Sequence, residues 1–173
     1  MATTDEQLHI DEGFMRECIR LADEAGQSGD LPFGSVVVHD NKIIGRGSNV
    51  LQQKLEIDGH AERIALLEAQ KHMNARTLDG CTVYTTVEPC PMCSFPMREL
   101  HIHRVVFGLR SPVMGGCTRF EVLQDKELSE KIPEYFGEPP IIESGVLRDE
   151  CIESWKKYAP RVWESLSSEG VLC

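Results

Sequence analysis

Two short motifs far apart in the sequence, His60-Ala61-Glu62 and Pro89-Cys90-Pro91-Met92-Cys93, restrict the fold of this chain more than anything else in it. Each stands where a helix is expected to begin. Asp58-Gly59 offers an entry to a helix over 60–73, whose apolar residues at 61, 64, 65 and 67 recur at helical spacing. Pro91 sits where a proline opens a helix, because the N–H it lacks would go unpaired there anyway. A three-residue step places Cys90 and Cys93 on one side of that helix start, where free backbone N–H groups and the positive end of the helix dipole favour thiolates. A fold that joins the two junctions therefore collects two thiolates and an imidazole, a donor set suited to zinc.

The rest of the pattern predicts such a fold. Phe14, Cys18, Leu21, Ala22 and Ala25 mark an amphipathic helix over 11–27. Segments 33–39 and 42–49, rich in Val and Ile, flank Asp40-Asn41 and read as a hairpin. Residues 82–87 alternate β-branched and aromatic side chains, 104–108 form a fourth strand and 140–147 a fifth, with helices over 120–131 and 149–158. Strands alternating with helices require a sheet covered on both faces, an α/β arrangement. No repeat, low-complexity tract or long linker marks a boundary, so residues 1–173 are expected to form one domain, with a core over about 8–158 and a helical extension over about 159–173.

Composition bears on partners. The chain carries 28 acids against 18 Lys and Arg, a net charge of -10. Between Glu121 and Glu153 the acids far outnumber Lys126, Lys131 and Arg148. A nucleic-acid surface normally shows a basic patch, so long-range steering of polyanions is disfavoured. The longest apolar run, Ile64 to Leu67, is far too short to span a bilayer, and the acidic start resembles no export signal. A soluble, cytoplasmic protein without membrane partners is expected, and its 7 cysteines are expected to be reduced thiols or ligands.

A structural zinc site closes its shell with four protein ligands, yet no second Cys-x-x-Cys accompanies this one. The open fourth position suits water, and Glu62, two residues from His60, is placed to act as a base toward it. A lone Cys-x-x-Cys is weak evidence, and a lone His-x-Glu weaker. Together on two successive strand-to-helix junctions they form a specific signal.

With Arg104-Val105-Val106-Phe107-Gly108 following them, these motifs resemble the cytidine deaminase superfamily, more closely its branch of bacterial guanine deaminases and tRNA adenosine deaminases. The resemblance covers about residues 8–158. It implies a three-layer α/β/α sandwich with a five-stranded mixed sheet, and a homodimer or larger assembly that helps wall the pocket. By residue match it implies His60, Cys90 and Cys93 as ligands of Zn2+ and Glu62 as the catalytic proton carrier. Asn49 and Phe33 match substrate-binding positions, and backbone N–H groups near Ala61 and Cys90 would orient the attacking oxygen. The activity implied is hydrolytic deamination of an amino-substituted ring, with release of ammonia.

The substrate is a separate matter. The Gly115-Gly116 loop lacks an aspartate that many guanine deaminases carry, and Phe95-Pro96 replace small residues after Cys93, altering helix packing or the pocket floor. Gly145 to Cys151 resembles the final helix entry of adenosine deaminases acting on tRNA, but the basic tail usual there is missing. On charge, a free base or nucleoside is expected as substrate, with tRNA not expected as a partner and adenosine-to-inosine deamination in tRNA as the alternative. A catalytically idle zinc-containing subunit is a further alternative, disfavoured by the presence of Glu62. His101 and His103 are read as solvated or capping residues, and Trp155 and Trp163 as core or interface residues, with cover of the pocket mouth as the alternative.

Overall fold

Asp40 and Asn41 both adopt positive φ, at 48° and 57°, the backbone that a two-residue hairpin turn requires. They join β1 (Gly34–His39) to β2 (Lys42–Ser48) in antiparallel register. The computed structural model, which describes residues 4–173, builds on this hairpin a sheet of five strands in the order β2-β1-β3-β4-β5. β3 (Thr82–Val87) lies antiparallel to β1, while β4 (Arg104–Leu109) and β5 (Ile141–Ser144) continue parallel to it. This is the mixed five-stranded sheet expected.

Alternation along the strands decides the layers. Val37, Val83, Val105 and Phe107 face one side, where they pack with Ala65 and Leu66 of α3 (Ala61–Met73) and Met97 of α4 (Pro91–Glu99). Val36, Val38, Tyr84 and Val106 face the other, against Met15 and Leu21 of α1 (Thr4–Gln27) and Trp155 of α6 (Arg148–Tyr158). The two-residue period of the strands thus feeds two separate cores. Contact between α3 and β2 is especially close: a Cβ at Gly45 or Gly47 would overlap the carbonyl of Ala65 or Ala61. Glycines on alternate positions of β2 let the helix that begins with the His-x-Glu motif lie directly on the sheet.

Several boundaries differ from the sequence expectation. α1 starts at Thr4, a full two turns early, and from the added turns Gln7 donates to Asp11, which is buried and also receives Arg104 and Tyr84. A short helix, α2 (Leu51–Lys54), follows the hairpin where none was expected. The single helix expected over 120–131 is a 3-10 turn, Val122–Gln124, followed by α5 (Lys126–Lys131), because the Asp125 carboxylate caps the Glu127 and Leu128 N–H groups and restarts the chain. Arg98, buried on α4, holds this segment by donating to the carbonyls of Val122, Asp125 and Gly137 and to Ser129. The C-terminal part forms α7 (Pro160–Ser168). Among the described residues no helix is long and apolar enough to cross a membrane.

Candidate active site

β2, α3, β3 and α4 converge at one end of the sheet, and both motifs meet there. His60 is the N-cap residue of α3 and Cys90 that of α4, each in extended backbone and neither with a side-chain capping bond. Their side chains are therefore free for another partner. His60 Nδ1 lies 3.4 Å from Cys93 Sγ and 3.7 Å from Cys90 Sγ. All three ligand atoms fall within 4.8 Å of one another. Bonds of about 2.05 Å to nitrogen and 2.3 Å to sulfur at the tetrahedral angle put the two ligands about 3.6 Å apart. The observed spacings match that edge, so the donor set fits zinc in both chemistry and geometry.

Electrostatics at the junction favour cation capture. Hydrogen bonding from the Cys93 thiol, then from His60, draws Cys90 down to about 4 against the cost of burial. Cys93 is pushed well up, first by sharing its proton with Cys90 and then by burial. The Cys90 thiolate also raises His60 above its ordinary value. One thiolate is thus already present at neutral pH, and binding a cation would release the remaining protons.

Glu62, in the first turn of α3, is 4% exposed. Burial pushes its carboxyl up to about 7, against its own backbone N–H and with the Cys90 charge adding to the rise. A carboxyl in that range can both accept and give a proton at neutral pH.

These groups open on a cavity of about 350 Å³, within the usual size of a small-molecule site. His60, Glu62, Cys90, Asn49 and Phe33 all line it. Ala61 does not; its methyl is buried where α3 crosses Gly47. Phe33 packs edge-on to Trp155, with ring centroids 5.1 Å apart, and Trp155 lines the cavity while belonging to the core. Phe95 instead points outward onto Phe136 in the segment between α5 and β5 and does not line the cavity. His101 Nδ1 donates to the Asp79 carboxylate at the surface, away from the cavity.

Sequence reasoning missed three contributors. Glu88, one residue before the cysteine motif, is buried and accepts from the N–H groups of Ser111 (2.8 Å), Cys117 (3.1 Å) and Thr118 (2.7 Å) and from the Thr118 hydroxyl. It fastens the 111–118 loop, which brings Ser111 and Met114 to the cavity. Asp30 holds Asn49. Val162, Leu166 and Leu172 of the C-terminal segment close one wall, tethered by paired backbone bonds between Arg110 and Cys173. An acid ending an otherwise β-branched strand was the available signal for Glu88; the C-terminal wall had none.

Residues 8–109 match the family model for the cytidine and deoxycytidylate deaminase zinc-binding region. The chain belongs to this family. It is a zinc-dependent hydrolytic deaminase, as the motifs implied. Among curated proteins this deaminase is 36% identical over 143 residues to the tRNA-specific adenosine deaminase of Bacillus subtilis (strain 168), covering 82% of this chain and 83% of that one. It is 31% identical over 141 residues to the tRNA-specific adenosine deaminase of Aquifex aeolicus, covering 80% and 91%. It also resembles the chloroplastic tRNA(adenine(34)) deaminase of Arabidopsis thaliana, at 32% identity over 88% of this chain but only 12% of that protein. A solved tRNA:A34 deaminase structure superposes with TM-score 0.72 at 26% identity, over 82% of this chain and 98% of that one. Guanine deaminase from Bacillus subtilis superposes with TM-score 0.54 at 31% identity, over 69% and 74%.

These relatives overturn the expectation of a free base or nucleoside as substrate, and with it the dismissal of tRNA as a partner. The physical fault lay in reading net charge as a property of the site. Among the described residues, the acidic stretch from Glu121 to Glu153 contributes no side chain to the cavity wall. Charge far from a site affects steering but does not choose the group that enters.

Proposed function

We propose that this deaminase converts adenosine to inosine in tRNA, at position 34. The observation that carries the reading is its similarity, over most of both chains, to bacterial tRNA-specific adenosine deaminases. The cavity, with apolar walls and few polar groups, suits one extruded base, which is how enzymes reach a ring atom in a polynucleotide.

His60, Cys90 and Cys93 would hold zinc, which supplies Lewis-acid activation of a water nucleophile. Glu62 accepts a proton from that water and delivers it to N1 of the adenine, making the neighbouring C6 electrophilic. The water oxygen bonds to C6, and Glu62 carries the second proton to the amino nitrogen. The C6–N6 bond then breaks, ammonia leaves and the carbonyl of inosine forms. Phe33 and Trp155 flank the base, and Asn49 meets its polar edge or ribose. We also propose a homodimer formed through the groove between α3 and α4, where Leu67 is exposed and Ile57 stands out nearby at 79% exposure. Light scattering should return twice the 19.4 kDa chain mass.

Zinc-loaded protein incubated with a tRNA transcript carrying A34 should produce inosine, read as guanosine on reverse transcription. Its apparent affinity should fall steeply with salt, as phosphate contacts require. Intact adenosine at every A34-bearing tRNA tried would refute the proposal.

A further inference from the structure

One buried carboxylate outside the metal centre is placed to control how the cavity reads its substrate. Asp30, between α1 and β1, is 4% exposed. Its Oδ1 accepts from Asn49 Nδ2 at 2.6 Å and from the Leu31 N–H at 2.8 Å. Its Oδ2 accepts from the N–H groups of Gln52 (2.9 Å) and Gln53 (3.1 Å), first-turn donors of α2. Val50, the N-cap residue of α2, provides no side-chain bond, so Asp30 fulfils that role from a distance. α2 in turn presents Leu51 to the cavity.

A carboxylate only accepts, so the edge of Asn49 that meets it must be the amide NH2. This fixes which way the side chain faces. Asn49 is 4% exposed and lines the cavity, and its carbonyl oxygen is the acceptor left for a ligand there. We propose that Asp30 is a positioning residue that locks Asn49 with its carbonyl oxygen toward the substrate. Without that lock the amide can rotate by half a turn and present a donor. Resting on the proposed RNA substrate, the assignment names what this acceptor pairs with: adenosine in RNA offers two donors, the N6 amino group and the ribose 2′-hydroxyl.

A double-mutant cycle with Asp30→Asn and Asn49→Ala, each zinc-loaded and assayed for inosine formation in tRNA, tests the assignment. Asp30→Asn should lower kcat/KM by about tenfold or more, chiefly through KM, with zinc content unchanged. In the Asn49→Ala background the same substitution should cost less than about threefold, because its effect travels through Asn49. Equal losses in both backgrounds would overturn the assignment and leave Asp30 as a cap for α2. Side-chain amide resonances of wild-type protein, with Asn49→Ala identifying the signal, give a second reading that needs no Asp30 variant. The Asn49 amide proton should be shifted downfield by its carboxylate partner, and an ordinary shift would also overturn the assignment. Wild type that forms no inosine would sink the tRNA reading alone. The cycle would then be read by the affinity of each zinc-loaded variant for purine riboside, with the same criterion.

Discussion

Replacing Glu88 by Gln should loosen the loop that forms one side of the cavity while leaving the metal ligands alone. In the native protein one oxygen accepts from Cys117 and Thr118 and the other from Ser111. A glutamine keeps one acceptor, so its NH2 must face a backbone N–H, most economically that of Ser111. One buried N–H then loses its partner, at about 1 to 3 kcal/mol, and the other bonds lose their charge assistance. A total of about 2 to 4 kcal/mol, at about 3 °C per kcal/mol for a chain of this size, lowers the melting temperature by about 6 to 12 °C. The loop backbone lies directly on the carboxylate, since a Cβ at Gly115 would overlap it. Scanning calorimetry of zinc-loaded protein reads the first effect. Steady-state kinetics read the second, a raised KM as Ser111 and Met114 lose their fixed place on the cavity wall. A melting temperature within about 2 °C of wild type together with an unchanged KM would show that Glu88 does not hold the loop.

Cys90→Ala and Cys93→Ala should each abolish stoichiometric zinc by elemental analysis, since two ligands cannot hold the ion tightly. Glu62→Gln should keep zinc and fold but lose at least about a hundredfold in turnover; near-normal ammonia release would remove Glu62 from the mechanism. Gly47→Ala should destabilise the protein by about 1 to 3 kcal/mol in chemical denaturation, because the added methyl meets the backbone of α3. Asp11 yields a pH test. Burial raises its pKa, but bonds from Arg104, Tyr84 and Gln7 outweigh this and hold it below the ordinary 3.8. Its contribution to stability is therefore complete above that value and is lost as pH falls toward its lower folded pKa. The stability gap between metal-free wild type and Asp11→Asn should be widest near neutral pH and narrow below about pH 4; a gap that widens in acid would contradict the sign.

Local pattern was enough to find the strands, the hairpin turn at Asp40-Asn41 and the helices that begin at His60 and Pro91. These depend on interactions between near neighbours in sequence. It was also enough to pick out His60, Cys90 and Cys93 as a metal-binding group, because that chemistry is carried by residue type and short spacing. Where the pattern failed, a partner distant in sequence was responsible. α2, which no local signal announced, has its first-turn N–H groups capped by Asp30 from across the chain. Glu88, Asp30 and the C-terminal wall became visible only when segments distant in sequence, as far apart as Leu31 and Leu172, were brought together. The acidic stretch misled for the same reason: composition sums charge over the whole chain, whereas a substrate meets only the side chains that folding places around the cavity. The donor set and its spacing were legible in one dimension, but the orientation of Asn49, the anchoring of the 111–118 loop and the closure by Leu166 and Leu172 are properties of three-dimensional proximity, which no local pattern encodes.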